Sequence, residues 1–499
     1  MSTPHPHRWL LLVTVAAGLL LVTLDNSVLY TALPTLTHEL HATATQGLWI
    51  INAYPLVMAG LLLGTGTLGD RIGHRRMFLF GLVIFGVASL AAAFSPTASA
   101  LIVARAFLAV GAAAMMPATL ALIRVTFDDE RERNLAIAVW GSLSVVGAAL
   151  GPIVGGLLLS HFWWGSVFLI NVPVVVLAFI GTLVFAPKGA VEQGKPWDLL
   201  SSVLALVTLS GLIVAIKEVA HAAPSWPLAF AALAVAVVGG WLFARRQARL
   251  PYPLLDFAIF RNPAFTAGVL AAAFAMFAIG GMQLVTTQRF QLVAGFTPLQ
   301  AGLLVSAVAL GSLPTALLGG AFLHRLGLRV LIAGGLAAGA TGALATTAGL
   351  HLGLGWLLAG MVLNGAGLGA VMAVASSAII GNVPPARAGM ASSVEEVSYE
   401  FGSLIAVALL GSLLGALYSM GISLPPGTHD AARDGITQAL EIARASEPVN
   451  TALVDAASSA FDRSYLIVLW VIAGVQAIGA LLTAWLLRHH GPGTATATH

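Results

Sequence analysis

The chain has 499 residues, 58% of them hydrophobic and only 9% charged, with a mean hydropathy of +0.93. Soluble proteins carry about 25% charged residues and cannot conceal so many unbroken apolar runs, so the composition excludes a soluble globule and implies an integral membrane protein. No cysteine is present, which excludes disulfides, thiol catalysis and thiolate metal centres, and a net charge of +3 does not suggest a nucleic-acid partner.

Taken in chain order, apolar windows bounded by Pro, Gly or charge predict fourteen spanning helices, at 9–33, 47–69, 76–95, 99–122, 134–160, 163–186, 198–219, 226–244, 264–290, 297–323, 329–350, 353–380, 389–420 and 462–488. The first is too long for a signal-peptide core and reads as a retained span. Placing the first loop outside leaves 17 of the 23 Lys and Arg on the inner side, five outside and Arg105 within the fourth span, so both termini are expected in the cytoplasm. The only long external connection, 421–461, contains ITQALEIARA and TALVDAASSAF, which could form short amphipathic helices over the outer mouth.

The chain also repeats itself. GTLGDRIGHR (66–75) aligns with GAFLHRLGLR (320–329) at an offset of 254 residues, and the same offset brings Gly111 onto Gly365. This predicts two six-helix units, 1–186 and 263–499, with an inserted two-helix segment at 187–262, an architecture in which repeats rock about a midplane site.

Several stretches carry more than packing. They are LDNSVLYTALP (24–34), WIINAYPLVMAG (49–60), GTLGDRIGHRR (66–76), RAFLAVG (105–111), GAALGPIVGG (147–156) and FLINVP (168–173). Together, in this order, they resemble the fourteen-helix drug:proton antiporter branch of the major facilitator superfamily, and within it the bacterial exporters of quaternary ammonium compounds and methyl viologen. The resemblance implies an all-α major facilitator fold in a bacterial inner membrane, alternating access, and exchange of protons for small lipophilic cations. It implies no cofactor, and a monomer is expected. Asn52 stands where some exporters of divalent cations have an acid, and helices 9 and 10 contain none, which argues for monovalent substrates.

Each motif has a physical reading. Asp70, with Arg71, Gly73 and Arg75 beside it, is expected to act as a conformational latch at a helix end. Gly147, Gly151 and Gly155 recur every four residues, a small-residue ridge for close helix approach, and Pro152 bends it, so this helix reads as hinge and seal. Arg105 is too deep to reach the interface easily and is expected to meet an acid, a carbonyl or cavity water. Asp25 lies 17 residues beyond Arg8, roughly 25 Å along a helix, in the outer half of its span.

MASSVEEVSYEFG (390–402) holds three carboxylates at the head of an apolar run. Glu396 and Glu400 share one helix stripe, whereas Glu395 and Tyr399 share another about 100° away. Phe401–Met420 alone is long enough to span, which would leave the acids at the cytoplasmic edge, but the preceding Pro384, Pro385 and Arg387 make the better loop and favour an embedded register. An embedded carboxyl favours its uncharged form and can hold a proton that an arriving cation displaces. Asp25, Glu395, Glu396, Glu400 and Arg105 are therefore the expected proton-coupling residues. Trp49, Asn52, Tyr54, Met58, Met115, Met116 and Tyr399 are the expected substrate contacts, since aromatic rings and thioethers accept flat cations without demanding one shape.

No lysine is followed by Ser or Thr, so there is no phosphate-binding loop for ATP. His38 and His41 are too few for a metal site, and no metal or hydrolytic constellation is expected. An exporter dedicated to one endogenous metabolite or antibiotic, and a non-transporting sensor or scaffold, are the competing readings.

Overall fold

The computed structural model describes residues 7–127, 129–187, 198–220, 224–251, 253–383, 388–446 and 448–490, among which there is no strand. The helices are α1 (Arg8–Glu39), α2 (Ala44–Ile72), α3 (His74–Ala93), α4 (Ala98–Thr126), α5 (Glu130–His161), α6 (Ser166–Leu169), α7 (Asn171–Phe185), α8 (Leu199–Val219), α9 (Trp226–Gln247), α10 (Pro263–Leu292), α11 (Pro298–Leu352), α12 (Leu354–Ile380), α13 (Ala388–Gly421), α14 (Ile436–Ala445) and α15 (Thr451–Leu486). Thirteen segments among the described residues are long and apolar enough to cross a membrane. In α5, itself 32 residues long, the described apolar stretch is Val146–His161. The expected span at 163–186 is α6 followed by α7. Those expected at 297–323 and 329–350 run on as the single helix α11, broken only at Gly327.

The internal repeat is written into the backbone. Gly73 has φ 95° and Gly327 has φ 75°, a region open to glycine and costly to any residue with a Cβ. Each sits between two consecutive spans, 254 residues apart. The same offset relates two helix starts, because Thr43 and Gln46 form a capping box on α2 and Thr297 and Gln300 form one on α11. The aligned pair Gly111 and Gly365 is less equivalent. A Cβ on Gly111 would meet the backbone of α3 at Phe85, whereas one on Gly365 would meet α11 at Val308.

One hydrophobic core is built almost wholly from α1–α7 and a second from α10–α15. The pair α8 and α9 stands outside both. Its helices approach closely at Gly211, where a Cβ would lie 2.7 Å from the Ala232 carbonyl. Arg246 donates two 2.9 Å hydrogen bonds to Asp198, tying the end of α9 to the start of α8. Leu56, Ile213, Leu404 and Ala408 then seat α8 over the seam between α2 and α13. Large apolar side chains such as Phe107, Leu177, Leu317 and Leu481 are exposed, the surface that acyl chains would cover.

Candidate functional site

Asp25 and Arg105 form an ion pair that is shielded from solvent, at 1% and 0% exposure. Arg105 Nη1 donates to Asp25 Oδ2, and Nε donates to the Ile50 carbonyl at 3.2 Å. The guanidinium lies 4.5 Å above the Tyr54 ring. Asn171, at the start of α7, donates through Nδ2 to the other Asp25 oxygen at 2.7 Å and to Ser89 on α3 at 3.3 Å. One charge pair thus ties together α1, α2, α3, α4 and α7. The expected acid and carbonyl partners of Arg105 are both present. Asn171 was not anticipated as a site residue, although it sits within FLINVP. Around this pair, both polar atoms of Asn52, the Tyr54 hydroxyl and Arg105 Nη2 have no hydrogen-bond partner among the described residues. Groups this deeply buried normally find one, so the cluster has room in its chemistry for water.

The two halves enclose a cavity of about 210 Å³, walled by α1, α2, α4, α5, α10, α11, α12 and α13. Of the expected substrate contacts, Met58, Met116 and Tyr399 line it. Asn52, Tyr54, Met115 and Trp49 do not. Met115 is used in packing α4 on α3, where it would touch a Cβ added to Gly81. The Trp49 ring faces the inserted pair, 4.1 Å from Lys217 Nζ on α8. In their place the cavity gains Tyr30, Trp140, Met276 and Met372. Four thioethers and three aromatic rings make a wall that can adjust to differently shaped apolar guests.

Glu396 and Glu400 both line this cavity, one turn apart on α13, and no Lys or Arg among the described residues lines it. Glu400 Oε2 has no hydrogen-bond partner among the described residues. Glu395 points elsewhere, is 7% exposed, and accepts a 2.9 Å hydrogen bond from Tyr399, whose ring belongs to the cavity wall. The two acidic stripes therefore meet different surroundings. Chemically, the cavity offers two carboxylates without a fixed counter-charge, a place where a proton and an organic cation would compete.

The cavity is closed toward the end of the bundle that carries α14. There Tyr30 and Ser403 share a hydrogen bond of 2.9 Å, Thr287 donates to the Tyr30 carbonyl at 2.9 Å and Gln291 to the Thr31 carbonyl at 2.8 Å. The glycine ridge of α5 reinforces this contact from inside one half. A Cβ on Gly147 would lie 2.0 Å from Thr23 Oγ1, one on Gly151 1.7 Å from Ser27 Oγ, and one on Gly155 3.0 Å from a Val28 methyl. The ridge thus holds α5 on α1, while Gly302 of α11 approaches the Pro152 carbonyl from the other half. Of the expected latch, the Asp70 side chain lies outside those described and Arg71 is exposed. Arg75 donates to the Leu183 carbonyl at 2.8 Å, a contact within its own half that satisfies the free end of α7.

Comparison with known proteins agrees with this architecture. Residues 15–292 and 269–426 match the family described as Major Facilitator Superfamily. The chain is 38% identical over 470 residues to the methyl viologen resistance protein SmvA of Salmonella typhimurium, covering 93% of this chain and 94% of that protein. It is 38% identical over 469 residues to the multidrug efflux pump LfrA of Mycolicibacterium smegmatis, covering 92% and 93%. Among solved structures, a bacterial homolog of the human lysosomal transporter Spinster, in an inward-facing and unoccupied conformation, superposes with a TM-score of 0.63 at 18% identity, covering 98% of this chain and 99% of that one. A peptide transporter POT in complex with sulfate gives 0.64 at 15% identity, covering 100% and 98%. With two homologous halves about one cavity, and a family match across most of its length, the chain is a multi-pass membrane protein that belongs to the Major Facilitator Superfamily.

Proposed function

We propose that this protein exports lipophilic cations in exchange for protons, by alternating access, across a bacterial inner membrane with both termini in the cytoplasm. The observation that carries the reading is the central cavity, whose only charged wall residues among those described are Glu396 and Glu400 and whose wall also carries aromatic rings and thioethers. A cation entering it brings the charge that lets a proton leave a carboxylate, and a proton returning from the other side expels the cation. The names of the relatives, one for methyl viologen resistance and one for multidrug efflux, support this class of substrate. Asn52 is buried outside the cavity wall, so its lack of charge says nothing about the valence of the guest. Two carboxylates one turn apart suit a dication as well as a monocation.

Asp25 and Arg105 serve as the coupling element in the other half. Arg105 holds Asp25 from α4, and the pair stands beside the cavity instead of in its wall. The positive charge bias, 17 of 23 Lys and Arg on one side, supports the orientation.

The test is uptake of ethidium or a quaternary ammonium dye into inverted membrane vesicles under an imposed pH gradient. Acid-inside vesicles should accumulate dye, a protonophore should abolish it, and Glu396→Gln and Glu400→Gln should each stop it. Dye movement by the wild type that both variants match would remove the cavity carboxylates from the mechanism.

A further inference from the structure

The connection between α13 and α15 is shorter than the sequence suggests, because TALVDAASSAF (451–461) forms the first turns of α15 and not a separate short helix, and with the outer ends of α1, α2, α10, α13 and α15 it builds a second cavity. This cavity has a volume of about 230 Å³ and lies beyond the first along the same helix, since α1 lines the central cavity from Leu19 to Tyr30 and the outer one from Leu33 to His38. Between the two lies the septum of Tyr30, Ser403, Thr287 and Gln291 described above, joined by Leu48 packed on Gly411. The outer cavity is a built feature. α14 is docked by Ile436, Ala439, Leu440 and Ala443, all buried, and the Tyr418 hydroxyl is held by the Ala432 carbonyl at 3.1 Å.

Its chemistry repeats that of the central cavity. Asp434 and Glu441, both exposed, bring two carboxylates to the wall, Tyr418 and Phe461 form an aromatic pair with centroids 6.2 Å apart, and no Lys or Arg among the described residues lines the space. The nearby Arg433 is engaged by the Ile422 carbonyl at 3.1 Å, and Arg444 lies on α14 outside the lining. His38 and His41 complete the rim, and no group of three metal-ligating side chains exists among the described residues. Acid, aromatic and apolar surface without a resident Lys or Arg is a receptor for an organic cation.

We propose that this outer vestibule is a second binding station for lipophilic cations, which they occupy after crossing the septum and before release, with Asp434 and Glu441 as charge partners. The proposal rests on the export reading above. It gives α14 a function as the fixed wall of an exit site, and it predicts two cation sites in series on one chain.

Absence of native cysteine allows single reporters in the full chain. A Cβ on Gly415 meets nothing within 4 Å, so Gly415→Cys reports on the vestibule, and Ala309→Cys reports on the central cavity. Each purified variant, in lipid nanodiscs, is labelled with a water-soluble maleimide with and without tetraphenylphosphonium. At about ten times the concentration that halves the rate, labelling of either reporter should slow about tenfold. Adding D434N with E441Q should abolish the protection of G415C and leave that of A309C. Adding E396Q with E400Q should do the reverse. Protection of A309C alone would overturn the second station and leave the export reading intact. Loss of G415C protection in the E396Q/E400Q background would also overturn it, since the effect would then be relayed from the central site. Protection of G415C that survives D434N/E441Q would refute the assigned charge partners. Failure of both reporters to respond, together with no dye uptake in vesicles, would sink the export reading itself and the station with it.

Discussion

Replacing Asp25 by Asn should destabilise the protein more by itself than in company with Arg105→Gln. Asp25 and Arg105 are 1% and 0% exposed, so the single change leaves a guanidinium buried without its counter-charge. Breaking a buried pair from one side costs about 3–5 kcal/mol, because the remaining charge must stay in a poorly solvating interior. The partial partners left to Arg105, the Ile50 carbonyl at 3.2 Å and the Tyr54 ring at 4.5 Å, place the expected loss toward the lower end, near 3 kcal/mol. Arg105→Gln alone strands a carboxylate that still accepts from Asn171 at 2.7 Å, which should cost a similar amount. In the double variant no charge remains, Asn171 still has an oxygen to donate to, and the loss should shrink to about 1–2 kcal/mol. The assay is a double-mutant cycle on detergent-purified protein, followed by unfolding in a graded denaturing detergent mixture. A double variant whose loss equals the sum of the singles would refute the pairing. Wild-type stability of Asp25→Asn would refute it as well, since no buried charge would then have lost its partner.

The helix contacts and the inserted pair give two more tests. Gly151→Ala places a methyl carbon 1.7 Å from Ser27 Oγ and 3.0 Å from the Val28 amide nitrogen, whereas Gly155→Ala reaches only 3.0 Å to a side-chain methyl. Overpacking of this kind costs about 1–3 kcal/mol, so Gly151→Ala should unfold earlier and exchange more slowly than Gly155→Ala, and the opposite order would contradict the ridge packing. At the start of α8, burial works against the charge of Asp198, but hydrogen bonds from Arg246 and Ser201 outweigh it and hold the carboxyl below its ordinary value of 3.8. A depressed value means that the stabilisation is present above pH 3.8 and is lost as pH falls through the lower folded value. Amide protection in α8 and α9, the exchange rate relative to the intrinsic rate at each pH, should therefore hold from pH 7 down to about 4 and fall below, while Asp198→Asn should show lower protection throughout. Loosening already at pH 5 would rule out the Asp198–Arg246 tie as the anchor.

What could be read from sequence was what depends on local backbone or on bilayer physics. Span positions follow from hydropathy, and the repeat showed because Gly73 and Gly327 occupy a conformation that excludes side chains. The capping boxes at Thr43 and Thr297 carry the same offset, and their T-x-x-Q spacing is an equally local signal. Facing was harder. In a bilayer a helix presents apolar residues to lipid and to neighbours alike, so periodicity does not mark which side meets a cavity. This is why Trp49 and Met115 were expected at the site and Trp140, Met276 and Met372 were not. Contacts such as Asn171 with Asp25, 146 residues apart, depend on the packing of whole helices and leave no local signature.

The acids of this chain are sorted by environment, and the sorting argues for a division of work. A bare charge inside a bilayer costs a few kcal/mol or more, so each buried acid needs a partner, a proton or water. Asp25 has a fixed arginine, and its removal is expected to act first on stability. Glu395 has a hydroxyl from Tyr399, a neutral partner that does not cancel its charge. Glu396 and Glu400 face a cavity whose described wall holds no Lys or Arg, and under the proposed export reading a mobile cation is their partner. Tyr399 joins the last two environments, because its ring lines the cavity while its hydroxyl holds Glu395. A guest pressing on that ring can therefore reach an acid it does not touch, which would make the three carboxylates of α13 one coupled set instead of three separate sites.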